Sequence, residues 1–327
     1  MNKSITSLYR RYRPTKFSDV IAQTHVTKTL ENQIKNNTVT HAYLFCGTRG
    51  TGKTSVAKIF AKAVSGNTPD PTLDIFEIDA ASNNRVEDIR ELIEKTKYPP
   101  TFSKYKVYII DEVHMFSASA FNAFLKTLEE PPSHVIFILC TTEPHKLPQT
   151  ILSRVLRFDF RPVAQAELEK FLSDILKKEG ISAAPGAITM ISKAGNGSVR
   201  DVLSVAESVI AYSKTVSEKE VEYVLGTVSG DKLELLAKAV LTFDIDGITK
   251  LNQEIFSKGV NISSVCRDFL ATLRQMFGTT KNSKIMQIYK IFAETELNLK
   301  TSLDPRGMFE GGCFIAAGSL QGPQQAH

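Results

Sequence analysis

Apolar residues recur along the first half of the chain in two alternating patterns. Short, mainly apolar runs predict five strands, at residues 42–46, 73–78, 106–110, 135–140 and 155–160, and the runs at 42–46 and 135–140 are apolar throughout. Apolar residues at helical spacing predict helices over 18–36, 53–64 and 86–97, and a further helix that Ser117 caps and Pro131-Pro132 ends. Strands that are apolar throughout and alternate with helices are typical of a parallel sheet covered on both faces. Residues 1–161 are therefore predicted to form an α/β domain.

The pattern changes after Arg161-Pro162, where the predicted strands stop. Four short helical patterns occupy residues 163–226, with breaks at Gly180, at Pro185-Gly186 and at 195–197. A second all-helical region, 229–317, follows, with breaks near Asp244, Lys258-Gly259, Gly278 and Asp304-Pro305. These changes divide the chain into three predicted domains, 1–161, 162–227 and 228–318, and a polar tail, 319–327, that is expected to be disordered.

Composition excludes several classes of protein. The chain has 327 residues, of which 42% are hydrophobic and 23% charged, as expected for globular domains with a sizeable core. No window holds 18 apolar residues and the N-terminus lacks the apolar segment of a secretory signal, so we expect no membrane span and a cytoplasmic location. The formal net charge of +5 permits nucleic-acid binding without requiring it. Five basic residues precede the first acid, Asp19: Lys3, Arg10, Arg11, Arg13 and Lys16.

The four cysteines give no sign of a metal site. Cys46, Cys140, Cys266 and Cys313 form no closely spaced pair of the kind that binds zinc. In a reducing cytoplasm they are expected to be buried, small apolar side chains.

A glycine-rich segment between the first predicted strand and its helix points to phosphate binding. Residues 47–54, Gly-Thr-Arg-Gly-Thr-Gly-Lys-Thr, fit the spacing G-x-x-x-x-G-K-[ST]. The glycines let backbone N–H groups surround phosphates, and the helix N-terminus adds a partial positive charge. In this motif Lys53 is expected to reach the β- and γ-phosphates, and the Thr54 hydroxyl to bind Mg²⁺.

Two adjacent carboxylates follow the third predicted strand. Asp111 and Glu112 end the run Val-Tyr-Ile-Ile, and the carboxyl ends of parallel strands are where open α/β sheets bind ligands. Asp111 suits Mg²⁺, directly or through water, and Glu112 suits polarising an attacking water. The pair therefore favours nucleotide hydrolysis over transfer to another substrate.

Two arginines and two threonines are further candidates. Ser198 with Asp201 three residues later approximates a capping box, which places Arg200 in the first turn of a helix. The helix dipole disfavours a cation there, so a bound anion is expected nearby. Arg154 lies just before the last strand, and Thr141-Thr142 follow the fourth, where hydroxyls would lie beside phosphates.

Together these motifs resemble the bacterial DNA polymerase III gamma/tau subunit, the AAA+ ATPase of the replicative clamp loader. The resemblance lies in HAYLFCGTRGTGKT at 41–54, IDAASNNRVEDIREL at 78–92 and residues 104–158, and covers about 8–210. It implies an AAA+ P-loop sheet domain, a small helical lid at 162–227 and a helical collar at 228–318 that holds a pentameric ring together. It also implies ATP and Mg²⁺ as cofactors, and a sliding clamp, primed DNA and other clamp-loader subunits as partners.

The resemblance assigns roles residue by residue. Arg154 matches the arginine finger that acts on ATP of the adjacent subunit, and Arg200 matches the sensor-2 arginine. Thr142 matches sensor 1, with Thr141 as the alternative. Arg85 and Arg90 match DNA-backbone contacts. The phosphate loop comprises Gly47, Gly50, Thr51, Gly52, Lys53, Thr54 and Ser55, and the adenine pocket comprises Tyr9, Arg13, Pro14, Val20 and Ile21.

The sequence departs from the family in three places. Val155 replaces the cysteine that follows the finger, and Asn83 replaces a basic residue seen in some members. The family's four-cysteine zinc module is replaced by a short link between Val64 and Leu73, so no structural zinc is expected. The extensions of the tau form are also absent, as expected of a short gamma-like form, a fragment or a compact variant from a reduced or viral genome.

Two other functions share part of the pattern. A branch-migration motor would have the same phosphate loop and sensors, but it needs a winged-helix or hairpin element where residues 229–317 look helical throughout. A non-hydrolysing clamp-loader subunit would have a degraded phosphate loop, whereas Gly52-Lys53-Thr54 is intact. Both are therefore disfavoured.

Overall fold

The computed structural model describes residues 6–66, 70–213 and 215–321. Contacts along the chain divide it into two compact units, Met1–Glu207 and Ser208–His327. Within the described residues, no helix is long and apolar enough to span a membrane.

The described part of the first unit is built on a parallel sheet of five strands in the order β2-β3-β4-β1-β5. The strands lie close to their predicted positions: β1 Ala42–Cys46, β2 Ile75–Asp79, β3 Lys106–Asp111, β4 Val135–Thr141 and β5 Leu156–Asp159. All of β1 and β4 is buried, which explains why these strands are apolar without alternation. The predicted parallel sheet is therefore confirmed.

Helices cover both faces of this sheet. Tyr43 and Phe45 of β1 point into one core, and Leu44 and Cys46 into the other, because successive strand residues face opposite sides. The first core also contains α2 and α3, and the second α4 and α5. The helices of this part are α1 Leu8–Arg11, α2 Thr24–Lys35, α3 Lys53–Ser65, α4 Val86–Thr96, α5 Ala118–Glu129 and α6 Gln149–Leu152, with short 3-10 helices at Phe17–Asp19, Pro71–Asp74, Val113–Met115 and Pro144–Lys146.

The helix predicted from Ser18 begins later in the structure, at Thr24. Ala22 adopts a left-handed backbone conformation, with φ of 60°, which interrupts the helical path. Gln23, the residue just before α2, is fully buried. Its side-chain amide donates a hydrogen bond to the C=O of Arg161 and accepts one from the N–H of the same residue. Val20 and Ile21 therefore lie in a connecting segment rather than on a helix.

Every element labelled after β5 is a helix, as predicted. The four short helical patterns correspond to α7 Gln165–Lys178, α8 Pro185–Ala194, α9 Val199–Tyr212 and α10 Glu218–Leu225. The Ser198 hydroxyl accepts a hydrogen bond from the backbone N–H of Asp201 at 3.2 Å, which confirms the predicted helix start.

In its described residues, the second unit buries an apolar core between five further helices. Its centre is an edge-to-face cluster of Phe269, Phe292 and Phe309, all fully buried. The helices are α11 Gly230–Thr242, α12 Ile245–Phe256, α13 Ile262–Thr280, α14 Ser283–Leu299 and α15 Pro305–Ser319. Of the predicted tail, Ser319 ends α15, Leu320 and Gln321 follow it, and residues 322–327 lie outside the described residues.

The four cysteines are buried and unpaired, as expected. Burial raises the pKa of the Cys46 thiol to about 11, which keeps this residue beside the phosphate loop protonated and unreactive at neutral pH.

Candidate functional site

A cavity of about 470 Å³ opens at the edge of the sheet where the parallel strands end. Its lining comes from the N-terminal segment, the phosphate loop, the ends of β2 and β3, and helices α7 and α9. It brings together fourteen of the predicted site residues: Tyr9, Arg13, Pro14, Val20, Ile21, Gly50, Thr51, Gly52, Lys53, Thr54, Ser55, Asp111, Glu112 and Arg200.

The phosphate loop follows β1 and leads into α3, as predicted, and Gly50 is where it meets α9. A Cβ at Gly50 would lie 1.9 Å from the Ser198 hydroxyl oxygen, and its φ of 75° already disfavours other residues. The carbonyl of Gly50 accepts a hydrogen bond from Val199 N–H at 3.1 Å. This close approach places the first turn of α9 over the cavity.

Lys53 is 6% exposed, and its side chain packs against the phosphate loop. Its ammonium donates hydrogen bonds to the carbonyls of Gly47, at 2.8 Å, and Thr48, at 3.0 Å. Burial lowers the pKa of Lys53 from its ordinary value, and the nearby carboxylates of Glu112 and Asp111 act in the opposite direction. The loop thus holds a cationic group at its centre, where it favours an anion.

Thr54 and Asp111 meet at the floor of the cavity. The Thr54 hydroxyl donates a hydrogen bond to Asp111 Oδ2 at 2.8 Å, although 57 residues separate the two in sequence. Hydroxyl and carboxylate oxygens are the ligands that Mg²⁺ prefers, with the remaining positions taken by water and phosphate oxygens. The described residues contain no cluster of three or more His, Cys, Asp or Glu side chains suited to a metal. The oxygens of Thr54 and Asp111 are therefore of the kind that fits Mg²⁺.

Glu112 lies next to this pair with an unusual backbone. Its φ of 49° and ψ of 44° are left-handed, so the extended backbone of β3 ends at the preceding residue, Asp111. The Thr142 hydroxyl donates to Glu112 Oε2 at 3.1 Å, whereas Thr141 is fully buried and its hydroxyl oxygen lies 3.0 Å from His114 Nδ1. Of the two candidate threonines, Thr142 is thus the one in contact with Glu112.

Arg200 occupies the first turn of α9, and its guanidinium lies 5.0 Å from the ring centre of Tyr9. Two contacts of the N-terminal segment hold Tyr9 near the cavity. The Tyr12 hydroxyl donates to Glu179 at 2.6 Å, and Arg11 pairs with the same carboxylate at 2.9 Å. Since the aromatic face attracts the guanidinium, Tyr9 keeps Arg200 over the cavity.

Five predicted residues lie outside the cavity lining. Two of them each contact a lining residue. The carbonyl of Gly47 accepts a hydrogen bond from Lys53, and the hydroxyl of Thr142 donates one to Glu112. Arg154 follows α6, where its guanidinium pairs with Glu129 at 2.5 Å and donates to the carbonyl of Thr150 at 2.7 Å. Arg85 and Arg90 are exposed, at the start and in the middle of α4.

Sequence reasoning missed eight lining residues: Tyr12, Asp19, Arg49, Asp79, Ala81, Phe171, Val199 and Leu203. Asp79 had a detectable signal, because it ends β2 as Asp111 ends β3, and the two are paired in register. Phe171 and Leu203 are apolar residues at helical spacing, which the sequence does not distinguish from other core positions.

Comparisons with known proteins agree with this arrangement. A family model described as DNA polymerase III, delta subunit, matches residues 22–164, and one described as DNA polymerase III clamp loader subunit, ATPase lid domain, matches residues 167–215. The chain is 42% identical over 291 residues to DNA polymerase III subunit tau of Bacillus subtilis, covering 84% of this chain and 52% of that protein. It is 38% identical over 309 residues to DNA polymerase III subunit gamma of Buchnera aphidicola subsp. Acyrthosiphon pisum, covering 89% of this chain and 85% of that protein.

Length separates these relatives. The chain spans about half the length of the tau relatives: it covers 52% of the Bacillus subtilis protein and 45% of the Salmonella typhimurium protein. It spans most of the gamma relative from Buchnera aphidicola. Among solved structures, the Holliday junction branch migration motor RuvB of Thermotoga maritima matches with a TM-score of 0.54 and 20% identity, over 80% of this chain and 90% of that one. That likeness concerns the fold alone.

The parallel sheet, the phosphate loop and the helical lid define a P-loop protein of the AAA+ class. Within that class the sequence matches are decisive, because they extend over most of the chain at 35–45% identity. The chain belongs to the DNA polymerase III gamma/tau family.

Proposed function

We propose that this chain is the ATP-hydrolysing motor subunit of a DNA polymerase III clamp loader, which uses ATP binding and hydrolysis to load a sliding clamp onto primed DNA in the cytoplasm. The observation that supports this most directly is the meeting of Lys53, Thr54, Asp111 and Glu112 at one cavity. These four groups are the ones that phosphate binding, metal binding and activation of water require. Residues 1–161 would bind the nucleotide, 162–227 would form the lid and 228–318 the collar.

Each side chain has a role that its position supports. Tyr9, Arg13, Pro14, Val20 and Ile21 would hold the adenine, while the N–H groups of the phosphate loop and the ammonium of Lys53 bind the phosphates. Mg²⁺, when bound, would neutralise charge on the phosphate oxygens, with Thr54 and Asp111 as its protein ligands. Glu112 would orient the attacking water and accept its proton, Thr142 would hold Glu112, and Arg200 would bind the γ-phosphate from the lid.

The remaining predicted residues face outward and imply partners. Arg154 would stabilise charge on the γ-phosphate of a neighbouring subunit, since its guanidinium lies outside the cavity of its own chain. Exposed Arg85 and Arg90 would contact the DNA backbone. The partners are accordingly the other clamp-loader subunits in a pentameric ring, the sliding clamp and primed DNA.

Two alternatives are less well supported. A non-hydrolysing clamp-loader subunit would share this fold but would have a degraded phosphate loop. The contact between Thr54 and Asp111, with Lys53 in an intact loop, argues against it. The likeness to the branch-migration motor is a likeness of fold at 20% identity, and the described part of residues 229–317 is helical.

The decisive experiment measures ATP hydrolysis by the chain alone, with primed DNA, and with its cognate clamp and partner subunits. We expect a low rate from the isolated chain and strong stimulation in the complete assembly on primed DNA. Binding of ATP without hydrolysis in the complete assembly would favour the non-hydrolysing alternative.

The chain is also proposed to fold without structural zinc. All four cysteines are buried, Cys46 and Cys140 in the first unit and Cys266 and Cys313 in the second, and none lies between Val64 and Leu73. Part of that link, 67–69, lies outside the described residues. Metal analysis of the purified chain tests the proposal, and one zinc per chain would contradict it.

A further inference from the structure

His114 is a nearly buried imidazole beside the candidate site that the proposed function leaves without a role. Its side chain is 7% exposed and lies in the 3-10 helix Val113–Met115, directly after Asp111-Glu112. It is not part of the cavity lining. A titratable group this well buried needs polar partners, because an unpaired one would lose its hydration without compensation.

One ring nitrogen faces the site. His114 Nδ1 lies 3.0 Å from Thr141 Oγ1 and 3.5 Å from Glu112 Oε2, the carboxylate oxygen that also accepts the hydrogen bond from Thr142. Glu112 Oε2 is therefore bordered by a hydroxyl on one side and an imidazole on the other. The hydrogen bond from Thr142 and the 3.5 Å contact with the imidazole restrict the rotation of this carboxylate, which is 34% exposed.

The other ring nitrogen faces the segment after β4. His114 Nε2 lies 3.2 Å from Glu143 Oε2. Glu143 is itself fixed, because its backbone N–H donates to Thr141 Oγ1 at 3.0 Å and its carboxylate pairs with Lys146 at 2.6 Å. The hydrogen bond from Lys146 lowers the pKa of Glu143, which keeps this carboxylate ionised as an acceptor.

We propose that His114 is a positioning residue that fixes the orientation of the Glu112 carboxylate by bridging it to Glu143. The inference rests on the proposed role of Glu112. The imidazole does not itself line the cavity, whereas Glu112 does, so His114 acts through Glu112 and not on the nucleotide. The left-handed backbone of Glu112 sets the direction in which its side chain leaves β3, and His114 with Thr142 sets where the carboxylate ends.

The main test compares kcat and KM for ATP between the native chain and His114→Ala in the complete assembly with primed DNA. A displacement of about 1 Å in a reacting group costs up to about 100-fold in rate, so we expect kcat to fall about 10- to 100-fold. KM and the affinity for ATP should stay within about twofold, because Lys53, Thr54 and Asp111 are untouched. An unchanged kcat, or a rise in KM that accounts for the whole loss, would overturn the proposal.

Three milder variants separate positioning from a general loss of packing, and they carry the test if His114→Ala does not fold. His114→Asn places an amide near Nδ1, and His114→Gln places one near Nε2, so each should retain more activity than alanine. Glu143→Gln, at a site that is 36% exposed, should lower kcat severalfold without changing KM. The double variant His114→Ala with Glu143→Gln should be no slower than His114→Ala, because both act through one bridge.

The matched control is His145→Ala, an exposed histidine two residues after Glu143, which should leave kcat unchanged. Full additivity in the double variant, or asparagine and glutamine variants as slow as alanine, would contradict the bridge.

The variant Glu112→Gln distinguishes a failure of this inference from a failure of the proposed role of Glu112. If Glu112→Gln hydrolyses ATP at the native rate, the role of Glu112 fails; if Glu112→Gln is slow and His114→Ala is native, only the bridge fails.

Discussion

The two units of the chain use the same kinds of polar residue in different ways. In the first, polar residues follow apolar strands, and the parallel sheet collects them at one edge, where Thr54 meets Asp111 and Thr142 meets Glu112. In the second, polar residues stand just before helices, and their side chains accept hydrogen bonds from the backbone of the helix that follows. Asp244, Asn261, Asn282 and Asp304 each accept a hydrogen bond from a backbone N–H in the first turn of the helix that follows.

This difference follows from the geometry of the elements. Parallel strands all end at one edge, so residues far apart in sequence converge there and form a site. The N-termini of the helices α12, α13, α14 and α15 are each satisfied locally by a side chain, which stabilises one helix at a time. A substitution at a strand end should therefore change chemistry, whereas one at a helix start should change stability.

The largest effect is expected at Lys53. Lys53→Ala removes the cation at the centre of the phosphate loop, so nucleotide binding and clamp loading should be lost together. Fluorescent ATP titration of the purified chain measures this directly. Lys62→Ala, at an exposed lysine of the same helix, should bind ATP normally, and tight ATP binding by Lys53→Ala would refute the assignment.

Arg154 tests whether the site extends across a subunit interface. An arginine finger is worth about 10³- to 10⁵-fold in rate, so Arg154→Ala should abolish most DNA-stimulated hydrolysis in the assembly while the isolated chain binds ATP normally. Arg157→Ala, at an exposed arginine three residues later, serves as the control.

Mixed assemblies make the test of Arg154 sharper. Combining Arg154→Ala chains with Lys53→Ala chains should restore some activity, because native fingers then meet intact phosphate loops at some interfaces. Full stimulation of Arg154→Ala assemblies would show that the arginine has no such role. Loss of ATP binding by the isolated variant would place it in its own chain's site.

Within the first unit, substitution of Glu112 should reduce ATP hydrolysis without reducing ATP binding. Glu112→Gln keeps the metal ligands and the phosphate loop but removes the proton acceptor, so hydrolysis should fall about 10²- to 10⁴-fold with ATP affinity retained. Single-turnover hydrolysis and equilibrium binding measure the two quantities. Glu130→Gln, at an exposed glutamate at the end of α5, should hydrolyse at the native rate.

The smallest effect is expected in the second unit. The Asp304 carboxylate accepts a hydrogen bond from Gly307 N–H at 3.0 Å, so Asp304→Ala should lower the free energy of unfolding by about 0.5–2 kcal/mol. ATP affinity should not change. Glu294→Ala, at an exposed carboxylate within α14, should stay within about 0.5 kcal/mol of the native chain in denaturant unfolding. A loss of ATP binding in Asp304→Ala would break the contrast between the two units.

Much of the fold was predictable because its signals are local. Short, mainly apolar runs predicted all five strands, and the helix starts at Ser117 and Ser198 were marked by residues whose side chains do accept backbone hydrogen bonds. The predicted start of α2 was early by six residues, since the left-handed backbone of Ala22 leaves no periodic signal. The roles of the site residues remain predictions, although fourteen of them line one cavity.

By itself the sequence determined the type of each element, the phosphate loop and the carboxylates after β3, because spacing and residue type specify local conformation and local chemistry. Only the tertiary structure decided the strand order, which brings Asp79 beside Asp111, and the choice of Thr142 over Thr141 as the partner of Glu112. It also decided that His114 lies between Glu112 and Glu143. Adjacent residues of a strand face opposite sides, and which neighbour each side meets depends on strands that are distant in sequence.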